Sequence, residues 1–370
     1  MMNVLQRNFF RLLRCGTFGI QEPLEPLSPW KWDKLYQLSL MHGVTALIYD
    51  GMRQMEDDFF LQLSGEQKEQ WATTTREIEN RNRETDLQVA QLFALFNEKR
   101  WRPILMKGQS CAKLYPVPGH RTSGDVDIFF PYETLAEKAN SWAQEQGKTE
   151  EDRERTHFCY QYQGVMVDHC VTLIQISNPL LNRRLQRIIN AEIRCCDSCY
   201  THIGDAKVEC LPYTLNLLTM MVRISRYMLN DGISLKQLLD LALFLRKQGD
   251  KVDYVKLQQW LAKLQMKRMV KLIGGLLMTL FRFTEDELPF MEKGREIPTD
   301  DILVEVFRLK GSHSCDWFFT QGKDIFVKAS DSNALLWQVR QSMRYMGYWP
   351  GESVTNFLTS FARSLAHIEE

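Results

Sequence analysis

Two aspartates two residues apart, Asp125 and Asp127, lie in an apolar run that ends in Ile-Phe-Phe. The run predicts a short strand buried on at least one face, and side chains at i and i+2 of a strand point the same way. A core strand does not normally present two charges on one face without partners. Carboxylate oxygens of this kind suit magnesium that is carried with phosphates. The pair therefore predicts a divalent-metal site, and a solvated or salt-bridged pair is the alternative.

A turn upstream of this strand adds features that suit an anion. Residues 104–106 are apolar and predict a buried strand, and 109–115 predict a helix. Between them, Gly108 lets backbone N–H groups approach an anion closely, and Ser110 at the helix start can donate to a phosphate. Lys107 adds positive charge. A simple turn from strand to helix explains the same residues.

A third carboxylate is predicted on a later strand. Asp168 lies in the apolar run Gly-Val-Met-Val-Asp-His-Cys, where a strand is expected over 165–171. A third carboxylate permits a two-ion arrangement or a base for an attacking hydroxyl. The histidines His157 and His169 are interpreted as polar core residues, since lone strand histidines usually have that role.

The period of apolar residues divides the chain into three parts. With 370 residues the chain exceeds what one core usually organises. Short helices and the start of a long helix fill 1–84, a small α/β unit fills 85–211, and a helical domain fills 212–370. These three ranges are the predicted domains.

Several elements are predicted within these parts. Residues 67–99 predict one long helix whose polar front half faces solvent or a wet cleft. Residues 157–163 pair with the strand 165–171, and 192–200 pair with 207–211 as a second hairpin. The predicted C-terminal helices are 212–229, 234–248, 253–263 and 266–283, with two more over 330–368.

Charge and cysteine content restrict the class of protein. Lysine plus arginine equals aspartate plus glutamate, 46 each, so a nucleic-acid partner is not favoured. The sequence contains no run of about 18 apolar residues, so no membrane-spanning helix is predicted. The nine cysteines are an odd number, which favours reduced thiols in a cytoplasmic protein. A zinc site is the less favoured explanation for a group at the ends of the predicted hairpin, Cys195, Cys196, Cys199, His202 and Cys210.

The motifs resemble the nucleotidyltransferases of the DNA polymerase β superfamily, and within it the bacterial family of uncharacterised nucleotidyltransferases. The resemblance covers roughly residues 30–285. It rests on Leu105-Met106-Lys107-Gly108, Tyr115-Pro116-Val117-Pro118-Gly119-His120-Arg121, Asp125-Val126-Asp127, Asp168-His169 and the helix 232–245. Two departures stand out, because Gln109 separates Gly108 from Ser110 and Lys236 replaces an arginine of the family.

The resemblance implies an α+β fold, with a small polymerase-β-like mixed sheet as the nucleotidyltransferase core between N-terminal helices and a C-terminal helical domain. It also implies transfer of a nucleoside monophosphate from a nucleoside triphosphate to a hydroxyl, with release of pyrophosphate. The acceptor is expected to be a small molecule, a glycan precursor or a protein. A catalytically silent nucleotide-binding regulatory module and a toxin-type enzyme that nucleotidylates a partner protein are the alternatives.

The resemblance assigns roles to the residues that match. Mg²⁺ would lie on Asp125, Asp127 and Asp168, and Asp168 could instead activate the acceptor hydroxyl. The outer phosphates would lie on Lys107, Gly108 and Ser110. Arg121 would neutralise charge at the reacting phosphate, or would pair with an aspartate. On the helical domain, Lys236 and Asp240 would contact the nucleotide, or form only a surface pair.

Overall fold

A computed structural model describes residues 2–146, 149–151, 157–196, 198–230, 232–291, 302–303 and 339–366. The chain divides into two compact units. The first unit comprises residues 1–173 and 191–216, and the second comprises 174–190 and 217–370. The three predicted domains remain a prediction, and each compact unit is described by itself.

Four helices open the first unit. They are α1 (Val4–Phe18), α2 (Pro29–His42), α3 (Thr45–Gln54) and α4 (Gly65–Glu98). Helices α1 and α3 pack closely because glycines lie at their contact. A Cβ on Gly16 would lie 1.9 Å from the carbonyl oxygen of Leu47, and one on Gly51 would lie 2.0 Å from that of Leu12. The long helix predicted over 67–99 is confirmed as α4, which Ser64 caps with its side chain.

The first unit also holds a seven-stranded mixed sheet. Its strands are β1 (Ile104–Leu105), β2 (Val126–Phe129), β3 (Thr149–Glu151), β4 (His157–Tyr162), β5 (Val165–Cys170), β6 (Cys199–Ile203) and β7 (Ala206–Cys210). They lie in the order β3-β4-β5-β2-β1-β7-β6. Strand β2 runs parallel to β5 and antiparallel to β1, and β1 runs parallel to β7. The predicted α+β class is confirmed.

One face of the sheet carries the core. Helix α4 contributes Val89, Leu92, Phe93 and Phe96, and helix α6 (Glu133–Gln146) contributes Ala136, Ala139 and Ala143. Val126 and Ile128 of β2 belong to the same cluster. Because side chains alternate along a strand, Asp127 between them lies on the opposite face. The core therefore fixes the side of the sheet on which the carboxylate is presented.

Two predicted elements differ from the structure. The helix predicted over 109–115 is a single turn, α5 (Gln109–Ala112). The strand predicted over 192–200 is wrong for its first half, because helix α7 (Pro179–Cys195) extends through it and β6 begins only at Cys199. Buried apolar residues recur along α7 at helical spacing, at Leu181, Leu185, Ile188 and Ile189.

The second unit is helical where it is described. The helices predicted after residue 212 are confirmed as α8 (Tyr213–Asn230), α9 (Leu235–Gln248), α10 (Tyr254–Lys263) and α11 (Lys267–Phe281). Near the C-terminus, 339–345 are helical and α12 spans Pro350–Ala366, whereas 330–338 of the predicted pair lie outside the described residues. No helix in the described ranges is long and apolar enough to cross a membrane.

Candidate active site

Three carboxylates lie together at neighbouring strands of the sheet. In the parallel pair β2–β5, Asp127 is the direct register partner of Asp168. Adjacent strands are about 4.8 Å apart, so these two side chains are immediate neighbours. Asp125 lies directly before β2, two residues from Asp127. The structure therefore brings together the three aspartates that the sequence analysis selected.

Two of these carboxylates have cationic or polar partners. The Lys107 ammonium donates to Asp127 with an Nζ–Oδ1 distance of 2.8 Å, and Asp127 is only 9% exposed. His157 on β4 donates from Nδ1 to Oδ2 of Asp168 at 2.8 Å. The thiol of Cys159 lies 3.7 Å from the other oxygen of Asp168. Lys107, in the turn after β1, thus holds Asp127 in place, and His157 on β4 holds Asp168.

The carboxyl of Asp125 lies close to the charges of two other acidic groups, Asp127 and Asp168. Partial removal of its carboxyl from solvent and the charges of Asp127 and Asp168 raise its pKa, although Lys107 and Arg81 act in the opposite direction. Arg81 lies on α4 and is itself partly removed from solvent. A carboxylate whose ionised form is opposed by its neighbours favours an added cation. The site is therefore electrostatically suited to a positively charged ligand.

The Lys107–Ser110 turn has a conformation that requires glycine. Gly108 has φ 58° and ψ −123°, which matches the first central position of a type II′ turn. The turn is closed by the Ser110 N–H, which donates to the Lys107 carbonyl at 3.2 Å. The Ser110 hydroxyl donates to the same carbonyl at 3.0 Å. In this arrangement the hydroxyl proton is directed into the turn, so phosphate binding by Ser110 requires a rotation of its side chain.

We expect Gly108→Ala to strain the turn, since positive φ disfavours an L side chain by about 1–3 kcal/mol. Space is not the cause, because the nearest atom to an added Cβ, the Asp125 carbonyl oxygen, is 3.8 Å away. Urea unfolding measures the loss of stability. Gly124→Ala is the matched control, since nothing lies within 4 Å of its added Cβ. If Gly108→Ala and Gly124→Ala are equally stable, the positive φ of Gly108 does not disfavour a side chain at that position.

Arg121 follows a short 3-10 helix, Pro118–His120, and is buried. Its carbonyl accepts a hydrogen bond from the Asn82 side chain of α4 at 2.9 Å, and the same amide nitrogen lies 2.6 Å from the Gly119 carbonyl oxygen. His120 between them is bound on both ring nitrogens, by Asp50 of α3 at 2.6 Å and Glu79 of α4 at 2.7 Å. The loop is thus attached to two N-terminal helices.

The His120 contacts make stability depend on pH. Burial lowers the pKa of His120, but hydrogen bonds to Asp50 and Glu79 outweigh it and raise the pKa above its usual value. The imidazolium therefore stabilises the fold fully below about pH 6.5, and this contribution is lost as pH rises through the folded-state pKa. We expect the melting-temperature difference between native protein and His120→Asn to shrink from pH 6 to pH 9. A difference that stays constant would contradict the charged pairing.

The sequence model of the family described as "Uncharacterised nucleotidyltransferase" matches residues 28–282, well over half of the chain. The chain belongs to this family. The family inferred from the motifs is confirmed, and the match includes all three aspartates.

One solved structure is also similar to this nucleotidyltransferase-family chain. It is the crystal structure of an antigenic nucleotidyltransferase-like protein from Paracoccidioides brasiliensis, at 14% sequence identity and a TM-score of 0.33. The similarity covers 53% of this chain and 91% of that chain. No curated protein matches the chain.

The histidines on β4 and β5 differ in surroundings. His169 lies on the face of β5 opposite Asp168, where burial lowers its pKa to about 3. Its neutral ring pairs with Asn140 at 2.9 Å and with the Tyr160 hydroxyl at 3.1 Å. His157, by contrast, is partly exposed and contacts Asp168. The two histidines thus have separate positions, one in the core and one beside the carboxylates.

The carboxylates of this site are its potential ligands for a metal ion. No group of three or more His, Cys, Asp or Glu side chains within the described ranges is arranged to hold a metal ion. The oxygens of Asp125, Asp127 and Asp168 are nevertheless of the type that Mg²⁺ prefers. Burial and the charges of Asp127 and Asp168 oppose ionisation of Asp125, and an added cation would offset that repulsion. The three carboxylates are therefore chemically suitable ligands for magnesium. In this structure Lys107 is paired with Asp127, and His157 is paired with Asp168.

The remaining predicted residues lie in the second unit. Lys236 and Asp240 are four residues apart on α9, and Asp240 is buried. Their contact with a nucleotide stays a prediction. In the first unit, Arg81 and Asn82 are not among the predicted site residues, although the polar front half of α4 predicts a helix that faces solvent or a wet cleft.

Proposed function

We propose that the protein transfers a nucleoside monophosphate from a nucleoside triphosphate to an acceptor hydroxyl, with Mg²⁺ and release of pyrophosphate. The observation that carries the proposal is the direct pairing of Asp127 with Asp168, with Asp125 two residues away and a raised pKa. Membership in a nucleotidyltransferase family supports the same chemistry.

In this proposal the carboxylates hold the metal. Asp125, Asp127 and Asp168 provide its protein ligands, and the ion supplies charge neutralisation at the phosphates and a template for their orientation. Lys107 lies beside Asp127, where its ammonium also reaches the phosphates of a bound triphosphate. The Gly108 turn and Ser110 seat those phosphates.

The transfer step forms one bond and breaks one. The acceptor oxygen attacks the α-phosphorus, and the bond from that phosphorus to the bridging oxygen of the β-phosphate breaks, so that pyrophosphate leaves with its electron pair. Asp168 takes the hydroxyl proton when it acts as the base, and His157 fixes its carboxylate through the 2.8 Å hydrogen bond. Arg121 neutralises charge at the reacting phosphate.

The acceptor is proposed to be a small molecule, a glycan precursor or a protein. Equal numbers of basic and acidic residues give no general attraction to nucleic acid. A cytoplasmic location belongs to the same proposal, and the free thiols of the eight described cysteines support it.

The deciding experiment supplies each α-labelled nucleoside triphosphate, Mg²⁺ and a cell extract as acceptor. Label transfer with pyrophosphate release, both abolished by a chelator, is the expected result. Triphosphate binding without pyrophosphate release would replace this proposal by the regulatory module. Label on a single protein band would identify a protein-directed enzyme. Failure of every triphosphate to bind in the presence of Mg²⁺ would overturn the proposal.

A further inference from the structure

We propose that side chains of helices α3 and α4 position the catalytic Arg121. Asn82 and His120 are the positioning residues, because they fix the loop that carries Arg121. The inference rests on the proposed function for its chemistry and on hydrogen bonds for its geometry. It assigns an active role to N-terminal helices that lie outside the sheet and contribute none of the three aspartates.

Asn82 uses its amide group to fix the loop backbone. The side chain is buried, and its nitrogen donates to two carbonyls, Gly119 at 2.6 Å and Arg121 at 2.9 Å. An amide has two N–H donors, so both bonds are satisfied at once. The carbonyls belong to residues on either side of His120. One side chain of α4 therefore sets the path of the chain at the residue before His120 and the residue after it.

His120 fastens the middle of the same segment. Its ring lies between Asp50 on α3 and Glu79 on α4, with both contacts under 2.8 Å. Glu79 and Asn82 are three residues apart and thus share a face of the helix. Three consecutive loop residues are attached to this face and to α3. Without these ties, a loop that contains only one 3-10 turn would sample many backbone conformations.

The fixed loop positions Arg121, which in turn acts on the reacting phosphate. Arg121 is buried and lies four residues before Asp125, so the loop that Asn82 holds leads directly into the carboxylate group. Displacement of a catalytic group by about 1 Å can cost about 100-fold in rate. Triphosphate binding depends on Lys107 and the carboxylates, which this contact does not touch. Loosening the loop should therefore lower kcat far more than it raises KM.

The test uses Asn82→Ala and Asn82→Asp, with Asn80→Ala as the matched control. Asn80 lies two residues away on the exposed face of α4, and its side chain makes no hydrogen bond to the described part of the chain. Aspartate keeps the size of asparagine but has no N–H to donate and faces two carbonyl oxygens, so Asn82→Asp should loosen the loop at least as much as Asn82→Ala. Hydrogen exchange of the peptide covering 116–124 and steady-state transfer with the full chain are measured together.

We expect about 10-fold faster exchange in this peptide, because two hydrogen bonds are lost. We expect kcat to fall about 10- to 100-fold with KM for the triphosphate changed less than threefold. Unchanged exchange, or faster exchange with unchanged kcat, would overturn the inference. If the Asn82 variants do not fold, Glu79→Ala removes one tie of His120 and serves the same comparison. Should the native protein transfer nothing, the proposed function fails, and the exchange data alone decide whether the loop is clamped.

Discussion

Asp125→Asn is expected to reduce nucleotidyl transfer on the order of 1000-fold while leaving the protein as stable as before or more so. The loss follows because a charge that holds the metal and phosphates is removed from the reacting centre. The gain in stability follows because partial burial and the charges of Asp127 and Asp168 oppose ionisation of Asp125 in the folded protein. Solvent screens this repulsion, so the melting temperature should rise by about 1–3 °C.

Asp127→Asn should reduce transfer by a similar factor and yet change stability in the opposite direction. Its carboxylate pairs with the Lys107 ammonium at 2.8 Å, and the substitution removes the negative charge from this ion pair. A loss of about 1 kcal/mol, or about 2–4 °C, is expected. Asp57→Asn is the control, since this exposed aspartate makes no hydrogen bond or ion pair with the described residues. Full activity in either site variant, or equal stability shifts in both, would contradict the proposed electrostatics.

The carboxylate cluster was predictable because its signal is local. Alternation of Val126, Asp127 and Ile128 fixes which side of β2 faces the core, and the same alternation places Asp168 on β5. Their pairing then needs only that the two strands be neighbours. The glycine at position 108 carried a similar local signal, because its turn requires a positive φ.

The clamp on the Arg121 loop was not predictable from the sequence. Asn82 lies 39 residues from Arg121, and Asp50 lies 70 residues from His120. Polar residues such as these look alike on any exposed helix face, and only the packing of α3 and α4 against the loop distinguishes them. The error at residues 192–195 has a different origin. A short window of alternating polarity favours a strand, whereas the helical spacing of α7 is visible only over the whole of Leu181–Ile189.

A second large effect is expected in the helical unit, at Glu352 in the first turn of α12. This side chain is 1% exposed, and its two carboxylate oxygens accept backbone N–H groups of Ser177 at 2.6 Å and Asn178 at 2.8 Å. Asn178 in turn accepts the N–H groups of Leu180 and Leu181 and so caps the start of α7. Glu352 thus connects segments of this unit that lie 175 residues apart.

Glu352→Ala should lower the free energy of unfolding by about 3–5 kcal/mol, because two buried N–H groups lose their acceptor and each costs about 1–3 kcal/mol. Glu352→Gln keeps one oxygen acceptor and should lose roughly half as much, since its amide nitrogen cannot accept. Val354→Ala, two residues away and partly exposed, is the control for the helix itself. Urea unfolding of the full chain measures all three variants. A Glu352→Ala loss no larger than that of Val354→Ala would mean that the carboxylate does not hold the α7 segment, since water would then be replacing both of its hydrogen bonds.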